Sequence, residues 1–180
     1  MKKAVVLLIS ASILFPAHGL MAETTMERLV KKIVSPRESN DRKMHKIEQW
    51  VKRNIRYSSD KKEFNMMERW TLPNETLQRR SGDCEDGAVL LIALAATAGI
   101  PKDRLRLYAP IKMPHGWHAC VAYQRESDDE WVWVEWAFGK NVRFPVIDRR
   151  KTMEEMSAYA PHGTYFEVIS LNPFDIQWYK

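Results

Sequence analysis

Only two cysteines occur in this chain of 180 residues, and no Cys-x-x-Cys or His-x-x-x-His spacing is present. That excludes a disulfide-stapled miniprotein and the common zinc-site patterns. Beyond the N-terminus there is no run of 18 apolar residues, so no stable membrane insertion is expected of the remainder. The charge imbalance is also small. With Lys2 and Lys3 set aside, 26 basic residues face 23 acidic ones. The signs are interspersed, which argues against a nucleic-acid partner. The basic stretch from Lys43 to Arg56 reads as the solvated face of a helix. No internal repeat, low-complexity tract or linker divides the chain.

The first 22 residues have the pattern of a secretory signal peptide. Lys2 and Lys3 form the basic region. Ala4 to Phe15 is a short run, apolar apart from Ser10 and Ser12, and Pro16, Gly19 and Ala22 supply a breaker and small residues. Cleavage fits after Ala22, with Leu20 at −3, or after Gly19, with Ala17 at −3; an uncleaved N-terminal anchor is the alternative. No cysteine follows the run, which argues against a lipid anchor. The expectation is a signal peptide over 1–22 and one domain over 23–180, of about 158 residues, long enough to bury a core without staples. A periplasmic or secreted location follows.

Helical spacing dominates the first half. Met26, Leu29, Val30 and Ile33 predict a short helix over Thr25 to Val34. Ser35-Pro36-Arg37-Glu38 reads as a helix start, with Ser35 as N-cap and Pro36 at N1. The helix beyond it, carrying Met44, Ile47, Val51 and Ile55, is expected to run to about Asn54. Residues 57–68 are polar and read as a loop. Pro73 and Glu75 suit a further helix start. The stretch from Cys84 to about Ala98 is apolar nearly all round and predicts a buried central helix, closed by Gly99 and Pro101. The period then changes to that of strands: Leu105 to Tyr108, Trp117 to Gln124 and Glu130 to Phe138, with others near Arg143–Ile147 and Tyr165–Leu171.

Gly82-Asp83-Cys84-Glu85-Asp86 holds the chemistry. Asp83 is a good N-cap type, and Asp86 can complete a capping-box-like exchange. Cys84 at N1 then sees the positive end of the helix dipole, a term of roughly 0.3–1 kcal/mol that favours a reactive thiolate. The surrounding carboxylates oppose it, so a histidinium or a bound metal is needed as counter-charge. Hard oxygens at Asp83, Glu85 and Asp86 can bind Ca²⁺, though helix capping by solvated acids explains them as well. Alternation puts His118, Cys120 and Ala122 on one strand face, and Trp131, Trp133 and Glu135 on one face of the next. A four-residue loop at Arg125–Asp128 places His118 directly across from Glu135, with Cβ atoms about 4.5–5.5 Å apart. A nucleophile, a base and a carboxylate orienting that base constitute a triad for acyl transfer through a thioester. Cys120 reads as a core residue, although a Cys84–Cys120 disulfide would silence the site. His115 reads as a loop residue, and His45 and His162 as surface residues.

Trp70-x-x-Pro73-x-Glu75-Thr76-Leu77, Gly82-Asp83-Cys84-Glu85-Asp86, the Gly99-Ile100-Pro101 break, and His118 followed by an acid seventeen residues on resemble the bacterial transglutaminase-like cysteine peptidases over roughly residues 45 to 140. The resemblance implies an α+β, papain-like/transglutaminase-like core. In it, N-terminal helices surround a buried helix carrying Cys84, which packs on an antiparallel sheet carrying His118 and Glu135. It implies Cys84 as nucleophile, His118 as general base and Glu135 at the position of the family's aspartate, one methylene longer. It also implies calcium at Asp83, Glu85 and Asp86. The best-known members are periplasmic calcium-dependent proteases that clip surface adhesins and so control biofilm attachment, which implies a protein substrate such as an adhesin and an inner-membrane regulator. Glu68 stands where an aspartate is usual. Transglutaminase or amidase chemistry on peptide amides, and a non-catalytic binding protein with a degenerate site, are the alternatives.

Overall fold

The computed structural model describes residues 23–113, 116–137, 165–168 and 176–179. The leader over 1–22, the strand expected at Arg143–Ile147, and His115 and His162 lie outside them. Five helices precede a sheet. Helix α1, Thr25–Ile33, starts on a capping box between Thr24 and Glu27, with the Glu27 N–H on the Thr24 hydroxyl at 3.2 Å and the Thr24 N–H on the Glu27 carboxylate at 2.7 Å. Helix α2, Asn40–Asn54, starts four residues later than expected. Its N-cap is Ser39, which accepts the Arg42 N–H at 3.4 Å, while Ser35 to Glu38 form a separate turn closed by Glu38 N–H to the Ser35 carbonyl at 3.2 Å. Both serines are good caps. The start at Ser39 puts Asp41 in the first turn of α2, where it meets the distant hairpin described below.

The polar stretch read as a loop is partly ordered secondary structure. Strand β1, Arg56–Tyr57, pairs in parallel with β2, Ser81–Gly82. Helix α3, Asp60–Phe64, lies between β1 and helix α4, Pro73–Arg79. Its polarity hides this because ionic and cation–π contacts hold it rather than apolar periodicity. Phe64 is sandwiched by Arg69 and Arg79 at 4.0 and 4.2 Å from its ring centre, and Glu63 pairs with Arg56 at 3.3 Å and with Arg79.

Helix α5, Cys84–Thr97, is the centre of the molecule. Every residue from Glu85 to Ala95 is buried, and α1, α2, α4 and two strands of the main sheet pack around it. Burying each of its leucines contributes about 1.5–3 kcal/mol relative to exposure, so the helix is held from all sides. Gly99 ends it at φ +86°, the left-handed conformation that a glycine adopts without strain.

Among the described residues the main sheet has five strands in the order β5-β4-β3-β6-β7. They are β3 Leu105–Met113, β4 Gly116–Gln124, β5 Trp131–Val134, β6 Tyr165–Val168 and β7 Ile176–Tyr179, all neighbours antiparallel. The α+β expectation is borne out; β3 is longer than expected and β7 was not foreseen. Leu105, Leu107, Ala119, Val121, Tyr123, Val132 and Val134 join the helical core. Alternation puts Cys120, Ala122 and Trp133 on the other face. No described helix is long and apolar enough to cross a membrane.

The β4–β5 register differs from the expected one. Val121 pairs with Val134 and Gln124 with Trp131, so the loop is the six residues 125–130 instead of four. The shift is two residues, which preserves the faces. Its cause is Asp41 in the first turn of α2, whose carboxylate accepts from Tyr123 Oη at 2.7 Å, Glu126 N–H at 2.7 Å and Ser127 N–H at 3.1 Å. Burial pushes the Asp41 carboxyl up, but these hydrogen bonds outweigh it and hold the group below its usual range. At the other end, Gly87 on α5 lies under the indole of Trp136, where an added Cβ would come within 1.9 Å of the ring.

Two stability predictions follow from these contacts. Asp41→Ala should cost about 2 kcal/mol in urea unfolding at pH 7, because hydrogen bonds to a charged acceptor are lost. Since its folded pKa is lowered, that contribution is present above the unfolded value of about 3.9 and disappears as pH falls through the lower folded value; the wild-type minus Asp41→Ala difference should shrink accordingly. Gly87→Ala would ordinarily gain about 1 kcal/mol of helix propensity. Here the clash with Trp136 should reverse the sign, to a loss of about 1–3 kcal/mol, accompanied by a shift in tryptophan fluorescence.

Candidate active site

Cys84 is the first residue of α5, but the local electrostatics are not those expected of a capped helix start. Asp83 is the N-cap by backbone position, yet its side chain makes no cap hydrogen bond. Its Oδ2 instead accepts the Asp60 N–H at 3.3 Å. Asp86 does not complete a capping box either: its Oδ1 accepts the Thr71 N–H at 2.8 Å, fixing the approach to α4. Both acids lean away because distant backbone amides compete for them. The dipole of α5 is therefore left uncapped by side chains beside the thiol.

The thiol is not activated in this arrangement. Cys84 Sγ lies 3.2 Å from Glu85 Oε2 and donates to it. Burial first, then the Glu85 charge and this hydrogen bond, push the thiol well above its ordinary value; the Ala119 N–H, which favours the thiolate, opposes them. The expected reactive thiolate thus needs its carboxylate neighbours neutralised. Cys120 is also a free thiol, buried and pushed up by burial. Neither cysteine is in a disulfide.

Glu135 stands one residue past β5, where the ladder to β4 has ended, so it is diagonal to His118 instead of directly opposite. The contact expected between them is nevertheless made: His118 Nε2 and Glu135 Oε2 are 2.6 Å apart. The second oxygen, Oε1, accepts the Ala137 N–H at 3.0 Å, so the carboxylate is held at both ends. The side chains are 7% and 12% exposed. The extra methylene of glutamate suits the diagonal reach. The next residue, Trp136, donates its indole N–H to the Cys84 carbonyl at 3.0 Å, tying the end of β5 to the start of α5. Cys84 is therefore joined through its carbonyl to the segment that follows β5. His45 is on the surface, 3.9 Å from Glu48.

The acids form a second cluster. Asp60, Asp83 and Glu85, all buried, bring one carboxylate oxygen each within 4.8 Å of one another. Asp60, which closes its own loop by accepting the Arg69 N–H, takes the place that sequence spacing assigned to Asp86. Glu68 borders the group: burial and the Asp83 and Asp60 charges push it up, and it accepts the Trp70 indole N–H at 3.0 Å. Burial and the adjoining Asp83 carboxylate push Glu85 up to about 10. Burial pushes Asp86 up to about 6 against the opposing Thr71 hydrogen bonds. Asp83 Oδ1, Glu85 Oε1 and Asp86 Oδ2 are buried with no hydrogen-bond partner. Hard, crowded oxygens with orphaned lone pairs fit a divalent cation with oxygen preference.

Asp60 and Tyr57 were missed by sequence reasoning. Asp60 lies 23 residues before Asp83, in a stretch without periodicity; the only local hint was Ser59-Asp60 as a helix start. Burial, and then the charges of Cys84, Asp83, Glu85 and Glu135, push the Tyr57 hydroxyl up.

Comparison with known proteins agrees with this architecture. The family model of the transglutaminase-like superfamily matches residues 27–140. No curated protein matches significantly. Calcium-bound LapG of Legionella pneumophila is similar in structure with a TM-score of 0.53 at 17% identity, over 69% of this chain and 68% of that one. Its EGTA-treated form gives 0.50 at 15% identity, over 63% and 69%. A Cytophaga hutchinsonii protein described as a candidate cysteine protease gives 0.52 at 22% identity, over 79% of this chain but only 46% of its own length. At such identities the structural likeness is one of fold. The family match covers most of the described chain, from α1 past the end of β5, and takes in Cys84, His118 and Glu135, so the chain belongs to the transglutaminase-like superfamily.

Proposed function

We propose that this chain is an exported, calcium-assisted cysteine endopeptidase with Cys84 as nucleophile, His118 as general base and Glu135 as the residue that orients the imidazole. The observation that carries the reading is the 2.6 Å contact of Glu135 Oε2 with Nε2 of His118, which is next in the chain to Ala119, whose amide favours the Cys84 thiolate. With Nε2–H given to Glu135, Nδ1 takes the thiol proton. The thiolate then attacks the scissile carbonyl, and the uncapped amides at the start of α5 stabilise the oxyanion. The imidazolium returns its proton to the leaving amine, a thioester remains, and water activated by His118 hydrolyses it. The substrate is a periplasmic or surface protein such as an adhesin, in keeping with the leader pattern and the family resemblance, and an inner-membrane regulator fits the same setting.

Calcium would be held by Asp60, Asp83 and Glu85, with Glu68 beside them, and would neutralise the carboxylates that keep the thiol protonated. Asp86, engaged by Thr71, stays a structural residue.

Hydrolysis of a casein-type or adhesin-derived substrate tests the triad. Cys84→Ala should lower kcat by about 10⁴-fold or more, and Glu135→Gln by roughly 10²–10⁴-fold. Glu135→Asp should fall between Glu135→Gln and wild type, because the shorter side chain does not span the diagonal. Full activity in Cys84→Ala would overturn the reading. Amine incorporation without cleavage, seen by mass spectrometry of the products, would replace the peptidase with a transglutaminase.

Calcium at about 100 times its Kd should raise Tm by on the order of 5–10 °C. Asp60→Asn and Asp83→Asn should lose this shift and Asp86→Asn should keep it. Equal shifts in all three would remove the proposed ligand set.

A further inference from the structure

The chemistry above leaves one exposed aromatic surface beside the nucleophile without a role. Tyr57 ends β1 and pairs with Gly82, two residues before Cys84. The next residue locks that pairing, Ser58 N–H donating to the Gly82 carbonyl at 2.9 Å. The Tyr57 ring is 6.0 Å from the Trp136 ring at an angle of 34°. Trp136 is buried and donates to the Cys84 carbonyl at 3.0 Å. Tyr57 itself is 51% exposed. A half-open phenol ring thus leans on a fixed indole that is bonded to the reacting residue, and its own backbone is paired with the strand leading into that residue. Rigid aromatics with one face open, held in place by packing rather than by a flexible loop, are what recognition of an apolar group requires.

We propose that Tyr57 is a specificity-determining residue, whose open ring face receives an aromatic or large aliphatic substrate side chain next to the scissile bond. This rests on Cys84 being the nucleophile.

The experiment measures alkylation of Cys84 in the full chain, in saturating calcium, by iodoacetamide and by acylated phenylalanyl, glycyl and aspartyl chloromethyl ketones. Wild type, Tyr57→Phe and Tyr57→Ala are compared, with labelling located by mass spectrometry. In wild type the phenylalanyl reagent should react about 10-fold or more faster than the aspartyl one. Tyr57→Phe should keep that preference and Tyr57→Ala should lose most of it, while iodoacetamide reacts within about twofold in all three, as expected where the thiol itself is undisturbed. The iodoacetamide rate shows that the site of Tyr57→Ala is intact; if that variant is unfolded by melting, Tyr57→Leu takes its place and should keep the aliphatic but lose the aromatic preference. Retention of the phenylalanyl preference in Tyr57→Ala overturns the proposal, as does its loss in Tyr57→Phe, which would assign the effect to the hydroxyl. Failure of every reagent to modify Cys84 in wild type is a different outcome: it overturns the nucleophile reading, and the proposal with it.

Discussion

Charge buried at the start of α5 is the constraint from which the rest of the site follows. Asp60, Asp83 and Glu85 meet within 4.8 Å, and a carboxylate taken out of water without a partner is costly. Part of that cost is met by backbone donors drawn from elsewhere in the chain: the Asp60 amide for Asp83, the Arg69 amide for Asp60, and the Thr71 amide for Asp86. The first and last of these bonds pin the stretch between β1 and α4 against the start of α5, and the Arg69 bond closes that stretch on itself. The acids therefore act as structural anchors for a polar region that has little apolar surface of its own. The remainder of the cost shows in Glu85, pushed up to about 10, and in the orphaned oxygens of Asp83 and Glu85.

The other half of the site depends on a turn far from it. Asp41 collects three donors from the β4–β5 hairpin and so selects a six-residue loop. That choice sets the register, the register moves Glu135 off the position opposite His118, and the length of a glutamate side chain restores the contact at 2.6 Å. Glutamate at this place is consistent with the geometry in a way that is invisible from the motif alone. Trp136 then closes the circuit by binding the Cys84 carbonyl across Gly87, the one helical position where any side chain would collide with the indole.

How far the chain could be read in advance follows from the range of the forces involved. Helix α5 was legible because its signals are local: apolar residues on all sides, a glycine at φ +86° after its end, and a proline beyond. The strand faces were legible because period two survives a two-residue slip. The choice of Ser39 over Ser35 as a cap, the hairpin register, and the exchange of Asp60 for Asp86 in the acid cluster were not. Each is decided by a hydrogen bond between residues that are distant in the chain, Asp41 with Glu126 or Asp60 with Asp83, and no local pattern encodes it. Helix α3 was hidden for a related reason. Its stability comes from Arg69 and Arg79 on Phe64, contacts that leave no hydrophobic period.

Glu85 is where the two halves meet. One of its oxygens accepts the Cys84 thiol at 3.2 Å, and the other is buried without a partner in the cluster with Asp60 and Asp83. A cation that satisfies the orphaned oxygen would take the place of the proton that burial and Asp83 hold on Glu85, and would weaken that side chain as an acceptor for the thiol. The Ala119 amide and the uncapped amides of α5, which favour the thiolate, then have chiefly burial to oppose them. On the proposed reading, cation binding and nucleophile activation are thus one electrostatic event at one side chain.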